Sequence, residues 1–287
     1  ADVEKGESFA DSMAQHPNVF PELLVQMARA GEASGSLDTA MERMAIQFEK
    51  SAKTQAMVKK AMIYPIVVAC VAVAVVVIML VFVIPRYMDM FEQLDTELPA
   101  ITLAVVGVSN FIQDYWYIII PVVIAVVFAL KAYAKTNSGK HVFGKVQLKI
   151  PAIKNLVVKS ACAQMARTLS TLLTAGVPLI EAVDIVSNTM TNIWFKEALK
   201  GALEQIMIGV PLSQPLQTSG LFPPMVYHMI RIGEEAGSTE EMLNKLADYY
   251  EEEVEMAVQS LMAAMEPMII IVLAGIVGFL IAAVMAP

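Results

Sequence analysis

The chain has 287 residues, of which 57% are hydrophobic and only 17% charged, with a mean hydropathy of +0.60 and a formal net charge of -8. A soluble domain carries about 25% charged residues, so the composition excludes an ordinary soluble fold and points to a membrane protein. An acidic balance also excludes a nucleic-acid partner, which needs a basic face.

The opening stretch Ala1–Glu7 (ADVEKGE) is polar with no apolar core behind it, so it is not a secretory signal. It lacks an initiator Met and reads as a processed or cropped start, with a further N-terminal stretch expected before it. Phe20-Pro21 introduces a short helix, and Gly31-Glu-Ala-Ser-Gly35 reads as a tight helix–helix turn needing positive φ at its glycines. A longer helix follows, with Met41, Met44, Ala45 and Phe48 on one face at i, i+3, i+4, i+7. Ile66–Ile84 then gives 19 residues without a charge between Pro65 and Pro85. A bilayer core takes about 20 apolar residues in a helix, so this is the first crossing.

Residues 86–114 hold Arg86 against Asp89, Glu92, Asp95, Glu97 and Asp114, and read as an external loop. Tyr115–Leu130 is a second apolar run that extends to Ala134, with Tyr115, Trp116 and Tyr117 as an interfacial aromatic belt. Lys131, Lys135, Lys140, Lys145 and Lys149 come next, with no acid among them, and Lys50, Lys53, Lys59 and Lys60 precede the first span. By the positive-inside rule the N-terminal part and residues 131–266 are cytoplasmic. A helical stripe of Cys162, Met165, Ala166, Leu169, Leu172 and Leu173 is broken at Gly176-Val-Pro178. Helices over Leu179–Met190 and Ile193–Ile208 follow, making about six helices over residues 155–260. The last apolar run, Pro267–Pro287, is the third crossing. Its Ala274, Gly278 and Ala282 recur every four residues, a small-residue stripe suited to helix packing in the membrane.

The chain repeats itself. Phe20–Pro65 lies on Phe222–Pro267 at a constant offset of 202, with 12 of 46 positions identical. Arg29/Arg231, Gly31/Gly233, Glu32/Glu234 and Gly35/Gly237 are among them, and Leu243, Leu246, Ala247 and Tyr250 repeat the apolar face of the first copy. The fold class is therefore all-α: three transmembrane helices and two repeated cytoplasmic helical-bundle modules, the first incomplete. The divisions are 1–63 for the end of the first module and 64–85 for span one. The external loop takes 86–114, span two 115–134, the second module 135–263 and span three 264–287.

Catalytic patterns are missing from the sequence. His16, His141 and His228 are scattered, no H-E-x-x-H, C-x-x-C or G-x-S-x-G occurs, and Gly139-Lys140 lacks the rest of a phosphate loop. Neither an enzyme nor a cofactor or metal site is expected. Cys70 and Cys162 read as small buried residues rather than a disulfide pair. No Asp, Glu, Lys, Arg or His interrupts the three apolar runs, which weighs against the alternative of a transporter or export-channel subunit. The repeated Arg-x-Gly-Glu reads first as a device that fixes the turn or a helix pair. Glu251–Glu255 reads as a solvated face or a docking surface for a basic partner.

Phe-Pro…Arg-x-Gly-Glu-x-x-Gly-Ser, repeated and each time followed by an amphipathic helix and a Pro-led span, resembles the type II secretion F / type IV pilus PilC family. Leu172-Leu-Thr-Ala-Gly-Val-Pro-Leu179, Ile84-Pro85 and Leu98-Pro99 extend the resemblance over nearly the whole chain. It implies a non-catalytic inner-membrane platform with a cytoplasmic N-terminus. Such a platform couples a hexameric assembly ATPase to insertion of pilin or pseudopilin subunits. Other inner-membrane assembly proteins, lipid and further copies of the chain are the remaining expected partners. Arg29, Glu32, Arg231 and Glu234 are the expected partner contacts, and Gly31, Gly35, Gly233 and Gly237 the structural turns.

Overall fold

The computed structural model of the chain describes residues 6–86 and 100–285. The opening residues 1–5, the acids Asp89, Glu92, Asp95 and Glu97, the Leu98-Pro99 pair and Pro287 lie outside the described residues. Within them there is no strand. The α-helices are α1 (Phe9–Ala14), α2 (Glu22–Ser34), α3 (Leu37–Ile78), α4 (Ala100–Lys135), α5 (Asn137–Lys149), α6 (Pro151–Thr174), α7 (Leu179–Thr189), α8 (Ile193–Met207), α9 (Ser213–Ser219), α10 (Pro224–Ala236) and α11 (Thr239–Met285), with a π-helical turn at Met79–Val83. Three of them are long and apolar enough to cross a membrane, within Leu37–Arg86, Thr102–Lys135 and Thr239–Phe279. Pro65 and Pro267 do not start these helices. They sit inside α3 and α11, as Pro121 does in α4, and membrane helices carry internal prolines more readily than soluble ones.

The chain divides into two compact units. One comprises Ala1–Met57 with Asn137–Val258, and the other Val58–Thr136 with Gln259–Pro287.

The first unit is a helical bundle. Its core holds Met27, Met44, Met165, Leu169, Leu172, Ile185, Phe195, Leu199, Leu212, Leu216, Ile230 and Leu243, each essentially inaccessible to solvent. Each such side chain contributes about 1.5–3 kcal/mol on burial. Phe195 meets Phe222 edge to face, with ring centroids 5.2 Å apart. The stripe on α6 faces inward, Cys162 included, and burial pushes the Cys162 thiol up to about 12. Cys70, by contrast, is exposed on the apolar stretch of α3. On α11 the expected face Leu243, Leu246, Ala247, Tyr250 is buried throughout. On α3 the face is turned: Ala40, Met44 and Gln47 are buried while Ala45 and Phe48 are exposed. The Gln47 side-chain amide accounts for this turn. It donates to the Thr168 hydroxyl at 3.2 Å and accepts from the Thr171 hydroxyl at 3.3 Å, so that side of α3 faces α6.

In the second unit the π turn ends just before Pro85. The Ile84 N–H donates to the Met79 carbonyl, a five-residue step. In that register the Leu80 carbonyl would need a donor from residue 85, and proline has none. The buried Ser109 hydroxyl of α4 donates to the Leu80 carbonyl instead, and Gln113 donates to Ser109 at 3.0 Å. Around this polar knot pack Leu80, Ile84, Val105 and Val106, with Val76, Met79 and Ile112 beside them. Residues 100–114 are thus helical, not a loop. Thr102, Val105, Val106 and Ser109 form a buried helical stripe that extends α4 well ahead of Tyr115.

Candidate partner-contact site

The two turns carry the residues that the sequence singles out. Helices α2 and α10 occupy the same positions at the 202 offset, and α3 and α11 start at equivalent residues. Only the second glycine of each pair is left-handed, Gly35 at φ +69 and Gly237 at φ +67. There each helix closes through a bond from the next residue, Ser36 N–H to Gly31 O at 2.8 Å and Ser238 N–H to Gly233 O at 2.9 Å. Gly31 and Gly233 lie within helices and serve close approach. A Cβ on Gly31 would stand 2.8 Å from the Ala40 Cβ and 2.9 Å from the Leu37 Cα, and one on Gly233 2.8 Å from the Thr239 Cα.

Each glutamate caps the short helix that precedes its own. Glu32 accepts the Phe9 and Ala10 N–H groups at 2.6 and 3.0 Å, at the start of α1, where Ser8 also accepts from Asp11 N–H. Glu234 accepts the Leu212 and Ser213 N–H groups at 2.5 and 3.3 Å, at the start of α9. A carboxylate there satisfies orphan donors and opposes the positive end of the helix dipole. Each arginine reaches the same short helix: Arg29 pairs with Asp11 at 2.9 Å, and Arg231 donates to Gln217 at 2.7 Å. Arg and Glu at i, i+3 therefore clamp one helix together, the Arg by its side chain and the Glu by its backbone. Arg29 and Asp11 stay open to solvent, with Ser8 first and Arg29 next holding the Asp11 carboxyl below the usual carboxylate range.

The sequence reading missed Arg167. Its guanidinium forks onto Glu251, with Nε to Oε1 at 2.7 Å and Nη2 to Oε2 at 3.0 Å, and it also binds Asp248 and, at 2.5 Å, Asn244. Burial works against its charge, but the bonds to Glu251 and Asp248 outweigh it and raise its pKa further. Lys50 reaches Glu251 at 3.0 Å, Lys53 reaches Glu255 at 3.0 Å, and Lys159 pairs with Glu253. Most of the acidic run is thereby occupied within the chain rather than offered to a basic partner. The available signal was Arg167 itself, the lone charge between Lys159 and Glu181, set beside an apolar stripe. In the third span Ala274, Gly278 and Ala282 are exposed, and nothing lies within 4 Å of where a Cβ on Gly278 would sit.

A family profile described as Type II secretion system (T2SS), protein F matches residues 1–85 and 165–287. The chain is 42% identical over 287 residues to the type IV pilus assembly protein PilC of Pseudomonas aeruginosa, covering 100% of this chain and 77% of that protein. It is 38% identical over 276 residues to the type IV pilus assembly protein PilC of Myxococcus xanthus, covering 96% and 66%. With the type II secretion system protein F of Aeromonas hydrophila it shares 32% over 287 residues, covering 99% and 74%. The chain, with its three apolar helices, is a multi-pass membrane protein and belongs to the type II secretion system protein F family.

Proposed function

We propose that this protein is the non-catalytic inner-membrane platform of a type IV pilus or type II secretion machine, passing the motion of a cytoplasmic hexameric ATPase to pilin or pseudopilin subunits. The observation that carries this reading is the end-to-end similarity to both pilus assembly and secretion proteins. The capping role of Glu32 and Glu234 supports a scaffold rather than a catalyst, since both carboxylates are committed to backbone N–H groups. In this reading the helical unit faces the cytoplasm, with Arg29, Glu32, Arg231 and Glu234 marking the turns that meet the ATPase. The exposed Ala274, Gly278 and Ala282 stripe meets pilin helices, other inner-membrane assembly proteins or further copies of the chain.

Co-purification of the tagged protein from membranes in mild detergent is the test. Enrichment of an assembly ATPase and pilin-like subunits is expected. Recovery of transporter subunits instead, or normal filament assembly in cells lacking the protein, overturns the proposal.

A further inference from the structure

Helix α5 has three faces. Gly144 and Leu148 turn toward the rest of the first unit, and a Cβ on Gly144 would stand 3.0 Å from the Trp194 ring and 3.2 Å from the Asn192 side chain. The Asn192 amide donates to the Gly144 carbonyl at 3.3 Å, the Trp194 indole to the His141 carbonyl at 3.3 Å, and His141 pairs with Glu197 at 3.2 Å. That side is closed. On the opposite side Val142, Val146 and Ile150 recur every four residues and are 50%, 46% and 42% exposed, with Phe143 beside them. Lys145 and Lys149 flank this stripe on one edge and Lys140 on the other. Among the described residues none of the three lysines pairs with a carboxylate.

Two facts indicate what covers the stripe. Only Thr136 separates α5 from the end of the membrane-crossing helix α4 at Lys135. No Asp or Glu occurs between Asp114 and Glu181, while Lys131, Lys135, Lys140, Lys145, Lys149 and Lys154 all fall there. An apolar stripe edged by lysines, on a helix of low overall hydrophobicity tethered to a span, is the pattern of an interfacial helix. Its apolar centre enters the acyl boundary, while the lysine stems lie along it and the ammonium groups reach the headgroups. Each lysine adds attraction for acidic lipid.

We propose that α5 is a peripheral membrane anchor that binds a surface of acidic phospholipid through Val142, Val146 and Ile150, with Lys140, Lys145 and Lys149 on the headgroups. This does not depend on the platform reading. The full chain, with Cys70→Ser and a single Val146→Cys carrying an environment-sensitive fluorophore, is placed in nanodiscs of phosphatidylcholine with or without phosphatidylglycerol. A second protein carries the label at Lys200→Cys, on the exposed side of α8. In discs with phosphatidylglycerol the label at 146 should shift to the blue and be quenched by brominated lipid. The shift should shrink in phosphatidylcholine alone and be lost when Lys140, Lys145 and Lys149 are all changed to Glu. The label at 200 should not respond. Single lysine reversals, each expected to reduce the shift in part, keep the test sound if the triple variant folds poorly. A label at 146 that stays open to iodide in acidic discs overturns the proposal. So does one shielded from water yet unquenched by brominated lipid, which would mean a protein surface covers the stripe. Indifference to lipid charge and to the lysine reversals also overturns it.

Discussion

The segments 20–50 and 222–252 share their helix boundaries, their left-handed glycine and their Glu-capped neighbour, but they differ in how much surrounds them. In the second segment Tyr250 is 4% exposed; its counterpart Phe48 is 38% exposed. Glu251 is held by Arg167 and Lys50, whereas the identical Glu49 is exposed and forms no ion pair among the described residues. Both segments lie in the first unit; the second meets α6 through Arg167 and α8 through the Phe195–Phe222 ring contact, and the first meets α6 through Gln47. Local structure thus follows the sequence pattern, while the energy invested in a position follows its neighbours.

Burial gives the largest expected difference. Tyr250→Ala should cost about 3–5 kcal/mol, the range for emptying an aromatic site in a core. Phe48→Ala should cost about 1 kcal/mol or less, as a surface change does. Urea unfolding in detergent, followed by tryptophan fluorescence, compares them; equal losses would mean that enclosure is not what separates the two segments. Next comes charge. Arg167→Ala leaves Glu251 with Lys50 alone and should cost about 1–3 kcal/mol, as removing the charged partner of a partly buried carboxylate does. Arg167→Lys should recover part of this, since it keeps the charge and loses the fork. Glu49→Gln should stay within about 0.5 kcal/mol, and a loss matching that of Glu251→Gln would contradict the asymmetry.

The glycines sharpen the comparison in the other direction, because here the two segments should agree. Gly31→Ala and Gly233→Ala each press a methyl against backbone at under 3.0 Å, and each should cost about 1–3 kcal/mol by overpacking. Gly35→Ala and Gly237→Ala have open space and suffer only the left-handed backbone, about 1–2 kcal/mol. Asn at either position should recover much of that. Melting temperatures of the four alanine variants test the pairing, and a Gly31 variant as stable as the parent would show that α3 can move away from α2.

The sequence made the helices legible because their signals are local. Breaks at Gly176-Val-Pro178 and after Gly35 and Gly237 carry their own conformational requirement, and observed α7 and α8 end within one residue of the expected bounds. What stayed hidden depends on pairing between distant residues. A serine at 109 has no visible purpose until Pro85 orphans the Leu80 carbonyl across the helix pair. The start of α4 at Ala100 was obscured because Asp114 interrupts the apolar run, although the stripe from Thr102 to Ser109 continues a helical period before it. Likewise Glu251 looks like a solvated acid until Arg167 and Lys50 are brought to it. The candidate contact residues were visible as a repeated motif. Their capping partners, at separations of 21 to 23 residues, were not.

The smallest expected effect separates the two clamps by pH. Arg29 holds a carboxylate, Asp11, whereas Arg231 holds the neutral Gln217. The hydrogen bond from Ser8, and then the Arg29 guanidinium, keeps the Asp11 carboxyl below its ordinary range in the folded chain. The unfolded chain then binds its proton more readily, near an ordinary pKa of about 3.9. Asp11 therefore adds stability that is complete above that value and is lost as the pH falls through the lower folded one. Both partners are exposed, so the contribution is small and weakens further with salt. Hydrogen exchange over residues 8–20 and 212–222, corrected for intrinsic rates, should show the α1 region losing protection first as the pH falls below about 4. Asp11→Asn should give the α1 region the flat profile of its counterpart. If both regions lose protection together in the parent chain, the acid sensitivity does not come from the one ion pair that distinguishes the clamps.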